Sequence, residues 1–248
     1  MTDAQKYLFD LQGYLVLRNV VSPDRLFALN AAMDRLEALD ESAYPDPLCV
    51  GTPRTEHELY LSNVLEADAA FRPLIDLPSV IDVIASISGD SFRLNHTYAI
   101  WRWGGGFTGL HMHGTPIIDK CQYRCENGQI VSTLTKAVFP MLDCEPEDGC
   151  FAVIPGAHKS SFPKPWGKHP HDNPPLAPVT GKAGDCIIFT EALTHGSTVN
   201  TSNHPRRTAY FCYSVGWMPD WGGQGLHFTK RINEGLTDAQ REVIRVKM

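Results

Sequence analysis

From residue 92 onward the chain runs in short stretches rich in β-branched and aromatic residues, at 92–101, 132–142, 150–154, 186–190 and 208–215. Clusters of Gly, Pro, Asp and Asn, such as 145–149, separate them. Short strands at this spacing close into a sandwich or barrel, whereas βαβ units would need a helical pattern between successive strands. Helical signals come earlier. Ser22 is placed to cap a helix that has Pro23 at its first position and Asp24 in its first turn. Leu26, Leu29, Met33 and Leu36 then recur at helical spacing. A second helix fits 79–88, with Val80, Ile81, Ile84 and Ile87 on its apolar face and Gly89 as its stop. The expected fold class is therefore mainly β with flanking helices: helices over about 22–90, then a jelly roll.

Residues 1–248 read as a single domain, because the length suits one β-sandwich or barrel and no break in composition divides it. A strand is expected at 14–18 and a terminal helix at 237–247, where Thr237 and Gln240 have capping-box spacing. Six prolines between 162 and 179 rule out a central strand there and predict a long loop placed to act as a lid. The formal net charge of -6 argues against a general nucleic-acid partner. No stretch approaches a membrane span, and the N-terminus lacks a basic region followed by an apolar one, so a cytoplasmic location is expected. Seven cysteines, an odd number scattered through apparent strands, read as reduced thiols. The Cys121-to-Cys125 spacing is a poor match to a zinc ribbon and is read as structural.

Two segments carry chemistry: Gly109-Leu-His111-Met-His113-Gly114, and Phe189-Thr-Glu-Ala-Leu-Thr-His195-Gly-Ser197. Alternation along a strand sends His111 and His113 to the same face, and a jelly roll can return His195 to the same mouth. Three protein ligands on one face leave open positions that suit a redox metal binding oxygen and a cosubstrate. A histidine near a strand end is more often only a hydrogen-bonded residue, and His169-Pro-His171, set among prolines in a loop, is read that way. Gly104, Gly105 and Gly106 lead into the first segment as either a plain flexible turn or a close approach to a ligand. Trp166, Trp217 and Trp221 are candidates for the rim of a substrate mouth, with simple packing the plainer reading for each.

Four segments in order resemble the phytanoyl-CoA dioxygenase family. They are the opening Gly13-Tyr-Leu-Val-Leu-Arg, the Asp148-Gly-Cys to Pro155-Gly-Ala-His158-Lys stretch, Ala183-Gly-Asp185, and Phe189 with His195-Gly-Ser197. The resemblance covers most of the chain and implies a double-stranded β-helix of cupin-like form. It further implies Fe(II) as metal, with 2-oxoglutarate and O₂ as cosubstrates. His195 matches the family's distal histidine, and Arg206, eleven residues on, matches the arginine that pairs with the far carboxylate of 2-oxoglutarate. A guanidinium can grip a carboxylate with two parallel hydrogen bonds. Arg207 should face the other side of the strand. His158 in the second segment reads as structural.

The chain departs from the family at one position. Members usually carry a carboxylate two residues after the first histidine, where this sequence has His113. A branch with an LHGG-like and an FTEALTHG-like segment is closer and also lacks that acid. Three readings stay open: His111, His113 and His195 form a three-histidine site; Glu191 or Asp119 supplies a carboxylate; or water or a halide fills the third position. Glu191 is favoured as a hydrogen-bond partner over a direct ligand.

The expected function is an Fe(II)- and 2-oxoglutarate-dependent dioxygenase that oxidises, by hydroxylation, a small organic metabolite. The alternatives are a three-histidine iron dioxygenase that does not use 2-oxoglutarate, and a non-catalytic jelly-roll binding protein. Substrate identity and oligomeric state are not encoded in any motif.

Overall fold

The computed structural model describes residues 1–88, 91–114, 117–221 and 230–244. Helix α1 (Asp3–Gln12) leads into strand β1 (Tyr14–Leu17), and helix α2 (Pro23–Ala38) begins at the Ser22 cap as expected. A hairpin of β2 (Cys49–Thr52) and β3 (Glu58–Ser62) follows, then the short α3 (Val64–Ala67) and α4 (Pro78–Ser88). The jelly-roll strands begin with β4 (Phe92–Arg102) and a small hairpin, β5 (Tyr123–Glu126) with β6 (Gln129–Ser132). They continue through β7 (Leu134–Pro140), β8 (Phe151–Val153), β9 (Ala177–Val179), β10 (Cys186–Thr190), β11 (His195–Ser197) and β12 (Arg206–Val215). Helices α5 (Lys230–Gly235) and α6 (Asp238–Ile244) complete the described chain.

Several of these elements differ from the sequence reading. Helix α1 and the β2–β3 hairpin were not expected, so the region 22–90 is not purely helical. The segment read as one strand over 132–142 divides at Thr133 into β6 and β7. The loop expected over 162–179 ends in β9, where Pro178 is tolerated because β9 is an edge strand that, among the described residues, pairs with β8 alone. The Gly89 stop and the last residues of the expected helix at 237–247 lie outside the described residues.

The larger sheet has the antiparallel order β1-β10-β7-β12-β4-β3-β2, and a smaller one has the order β11-β8-β9. Alternation sorts the larger sheet into two faces. Ala137, Phe139, Ile188, Ala209, Phe211 and Tyr213 pack with Leu29, Met33, Ile84 and Ile87 of the helices. Val138, Ile187, Phe189, Tyr210 and Cys212 face the smaller sheet, meeting Phe151 and Val153. An irregularity opposite Cys212–Tyr213 leaves Asn95 as an extra residue in β4, so Leu94 joins the helical side while Tyr98 and Ile100 face the barrel. A barrel with helices buttressing its larger sheet is the jelly roll expected.

Candidate active site

His111 joins the smaller sheet through a single antiparallel bridge to His195 at the start of β11. Each residue's N–H donates to the other's carbonyl at 2.9 Å. The chain is crowded here: a Cβ on Gly196 would lie 2.6 Å from the Thr108 carbonyl, and one on Gly114 2.8 Å from Ala192. These glycines let the two histidine-bearing segments run backbone against backbone, with ring centroids of His111 and His195 4.3 Å apart. His113 follows on the same face, its ring 4.9 Å from that of His111.

All three imidazoles have one nitrogen committed. His111 Nδ1–H donates to the Gly109 carbonyl at 2.7 Å, and His195 Nδ1–H donates to the Leu193 carbonyl at 2.8 Å. His113 Nδ1–H donates to the Glu191 carboxylate, and the His113 backbone N–H donates to the Glu191 carbonyl at 3.2 Å. A histidine that donates through Nδ1 presents the lone pair of Nε2, the form in which imidazole binds a metal. Burial pushes the His111 imidazole down to about 4 and holds that of His195 well below its ordinary value. Both rings are therefore neutral near pH 7.

Glu191 is fully buried. One donor atom each from His111, His113 and Glu191 lies within 4.8 Å of the others, and His195 Nε2 is 3.9 Å from Glu191 Oε1. Asp119 is exposed and outside this cluster. Sequence reasoning missed a fifth member, Lys136, whose ammonium lies 3.0 Å from Glu191 Oε2. Burial works to raise the Glu191 carboxyl, but Lys136, His195 and His113 outweigh it and hold the group well below the carboxylate range. Burial would likewise lower Lys136, yet Glu191 raises it above its ordinary value. The one signal for Lys136 in the sequence was a lysine inside the otherwise uncharged run of β7.

Arg206, at the first position of β12, is 4% exposed and faces the barrel. Its Nη2 donates to the Tyr210 hydroxyl at 2.9 Å, while Nη1 is buried without a partner among the described residues. A buried guanidinium nitrogen in that state calls for an anionic acceptor. Arg207 turns to the opposite side and binds Asp34 and Glu37 of α2. The stacked rings of Tyr98 and Tyr210, 4.4 Å apart, line the barrel on the Arg206 side.

A cleft of about 410 Å³ adjoins the histidines, bounded by residues 110–113, Ile117 and the segment 163–168. That proline-rich segment is tied to the first histidine segment, which is an irregular stretch bridged to β11 and not the strand expected, because the Leu110 N–H donates to the Lys168 carbonyl at 2.8 Å. Trp166 lines this cleft, and Trp221 packs 5.1 Å from the His113 ring. Trp217 is 73% exposed and borders a different depression with Ser88 and Arg124. Gly104–Gly106 form a turn in which the Gly106 N–H donates to the Trp103 carbonyl, which favours the plain-turn reading. His158 donates to the Asp10 carbonyl, and His169 accepts from the His171 N–H; each holds local structure away from the cluster.

The family model for phytanoyl-CoA dioxygenase (PhyH) matches residues 9–208. An ectoine dioxygenase of Nocardia farcinica is 22% identical over 83% of this chain and 75% of its own length. Dioxygenase af480 of Aspergillus fumigatus is 26% identical over 98% of this chain and 76% of its own length. Among solved structures, HygX of Streptomyces hygroscopicus with nickel, 2-oxoglutarate and hygromycin B bound superposes with a TM-score of 0.77 at 21% identity, covering 89% of this chain and 90% of that one. The chain belongs to the phytanoyl-CoA dioxygenase (PhyH) family and is an iron- and 2-oxoglutarate-dependent dioxygenase.

Proposed function

We propose that His111, His113 and His195 hold Fe(II) through Nε2, that Arg206 anchors the far carboxylate of 2-oxoglutarate, and that the enzyme hydroxylates a small organic metabolite entering beside the 163–168 segment. The observation that carries this reading is the common state of the three imidazoles, each tied through Nδ1 to a fixed acceptor. Bound iron would supply the centre at which O₂ and 2-oxoglutarate react, giving succinate, CO₂ and an oxidised substrate. The chain's own part is to position and to exclude water. The buried Arg206 offers its unshared Nη1 to a carboxylate, which supports 2-oxoglutarate over a substrate that chelates iron alone. Lys168 and Trp166 bound the entrance.

A small-molecule substrate is supported by the relatives, an ectoine dioxygenase and HygX with hygromycin B bound. The cytoplasm is the compartment we propose. All seven cysteines are free thiols, which suits a reducing compartment, and no helix among the described residues is long and apolar enough to cross a membrane.

The test is anaerobic addition of Fe(II) and 2-oxoglutarate to the metal-free protein, followed by air. A visible charge-transfer band should develop before air is admitted, and succinate should form after it. Iron bound at one equivalent with neither signal would remove 2-oxoglutarate from the reading.

A further inference from the structure

Lys136 occupies a position where an apolar residue would be expected. Its neighbours on the barrel face of β7 are Leu134 and Val138, and it sits opposite Phe189 of β10 and Cys212 of β12. Its ammonium lies 5.5 Å from the Tyr98 ring centroid and 6.0 Å from that of Phe189. Among the described residues the ion pair formed by Lys136 is with Glu191. A buried ammonium stripped of its partner is strongly destabilising, so the two groups hold each other in place.

That pairing has a geometric result. Glu191 has two oxygens: Oε2 lies 3.0 Å from the Lys136 ammonium, an ion pair without a directed hydrogen bond, and Oε1 accepts from His113. Oε1 is also 3.9 Å from His195 Nε2, and a Glu191 carboxylate oxygen lies within 4.8 Å of a ring nitrogen of His111 and of His113. A modest swing would bring it onto a metal held by the same imidazoles. A free carboxylate there would bind a dication in preference to an imidazole N–H.

We propose that Lys136 is a positioning residue that keeps Glu191 off the metal, so that the centre is ligated by neutral imidazoles with the carboxylate held one hydrogen bond away. This rests on the three-histidine reading above. Lys136 acts through Glu191 and His113 and needs no contact with substrate or cosubstrate.

The test is cobalt(II) binding to the full-length, metal-free protein, followed by calorimetry and by the visible spectrum of bound cobalt. Lys136→Met should bind cobalt at least tenfold more tightly than wild type, with an altered visible spectrum as an anionic oxygen joins the metal. Lys136→Arg, which keeps the charge, should retain the wild-type affinity and spectrum. Removing a nearby positive charge would by itself favour a dication, so the gain must be shown to depend on Glu191. Introduced into Glu191→Gln, the Lys136→Met change should give no more than a threefold gain and no spectral change. An equal gain in both backgrounds overturns the inference, as does an unaltered spectrum in Lys136→Met. If Lys136→Met does not fold, Lys136→Gln serves in the same cycle. Wild-type cobalt affinity in His113→Ala would instead sink the three-histidine reading, whatever the Lys136 variants do.

Discussion

His111 and His195 are joined backbone to backbone, each donating its N–H to the other's carbonyl at 2.9 Å. The pair therefore does not depend on long side chains to find each other: the sheet sets the spacing of the two rings before any metal arrives. His111 itself lies in an irregular segment outside the named strands, so this one bridge to β11 is what ties it to the sheet.

His195→Ala should accordingly lose iron while keeping the fold. The ring is buried between Phe151 and Phe189, so its removal leaves a cavity expected to cost about 2 kcal/mol. Iron content after reconstitution should fall below a tenth of an equivalent, with thermal unfolding still cooperative. Full iron content would exclude His195 from the site.

Arg206 and Arg207 separate two effects at adjacent positions. Arg206→Ala should raise the 2-oxoglutarate requirement by about two orders of magnitude, the loss of charge-assisted hydrogen bonds worth about 1.5–3 kcal/mol. Arg207→Ala removes ion pairs to Asp34 and Glu37 and should cost at most about 1 kcal/mol of stability, leaving that requirement unchanged. Steady-state kinetics on the two variants decides the matter, and the reverse ranking would remove Arg206 from the 2-oxoglutarate site.

The larger sheet was legible because its strands alternate or run fully apolar between strong turn residues, and one-residue alternation already placed Arg206 and Arg207 on opposite sides. Helix α1 was missed although Ala4, Tyr7, Leu8 and Leu11 recur at helical spacing: the segment is short, and the side it buries is that of Phe9, while Tyr7, Leu8 and Leu11 are exposed. The β2–β3 hairpin gains its place from pairing with β4, a long-range contact that four- and five-residue runs do not reveal. In the site, the histidines could be read from their segments, and Glu191 could be read as a partner. Lys136 could not, since its meaning depends on the register that sets β7 beside β10 and so brings it to Glu191.

Two buried histidines outside the proposed ligand set shape the response to acid: His158, and His96, which also feels the charges of Lys136 and Glu191. Burial pushes His96 down to about 3 and His158 down to about 4, whereas in the unfolded chain each titrates near 6.5. Below pH 6.5 the unfolded chain takes up protons that the folded one does not, so the stability these groups permit is present at neutral pH and falls as the pH drops toward 4. Each contributes a slope of up to about 1.4 kcal/mol per pH unit in that window. Urea unfolding of the metal-free protein at pH 7, 6 and 5 should show the decline, and His96→Gln should make it shallower. Equal stability at all three values would contradict the buried, neutral state of these rings.

His113 is where the chain leaves its family's pattern, and substitution there distinguishes the possible ligand sets. His113→Ala removes one imidazole and frees the Glu191 Oε1 that it engages. If the ring is a ligand, iron affinity should drop at least tenfold in this variant, even allowing Glu191 to approach the metal. His113→Asp restores a carboxylate two residues after His111 and should keep iron at one equivalent. It also sets a second anion beside Glu191, with Lys136 as the nearby cation. The iron then carries an extra negative ligand, which lowers its Lewis acidity, so turnover should change more than affinity. Iron stoichiometry and 2-oxoglutarate consumption measured on both variants provide the check. Undiminished iron affinity in His113→Ala would leave His113 as a neighbour of the metal and transfer the third position to Glu191.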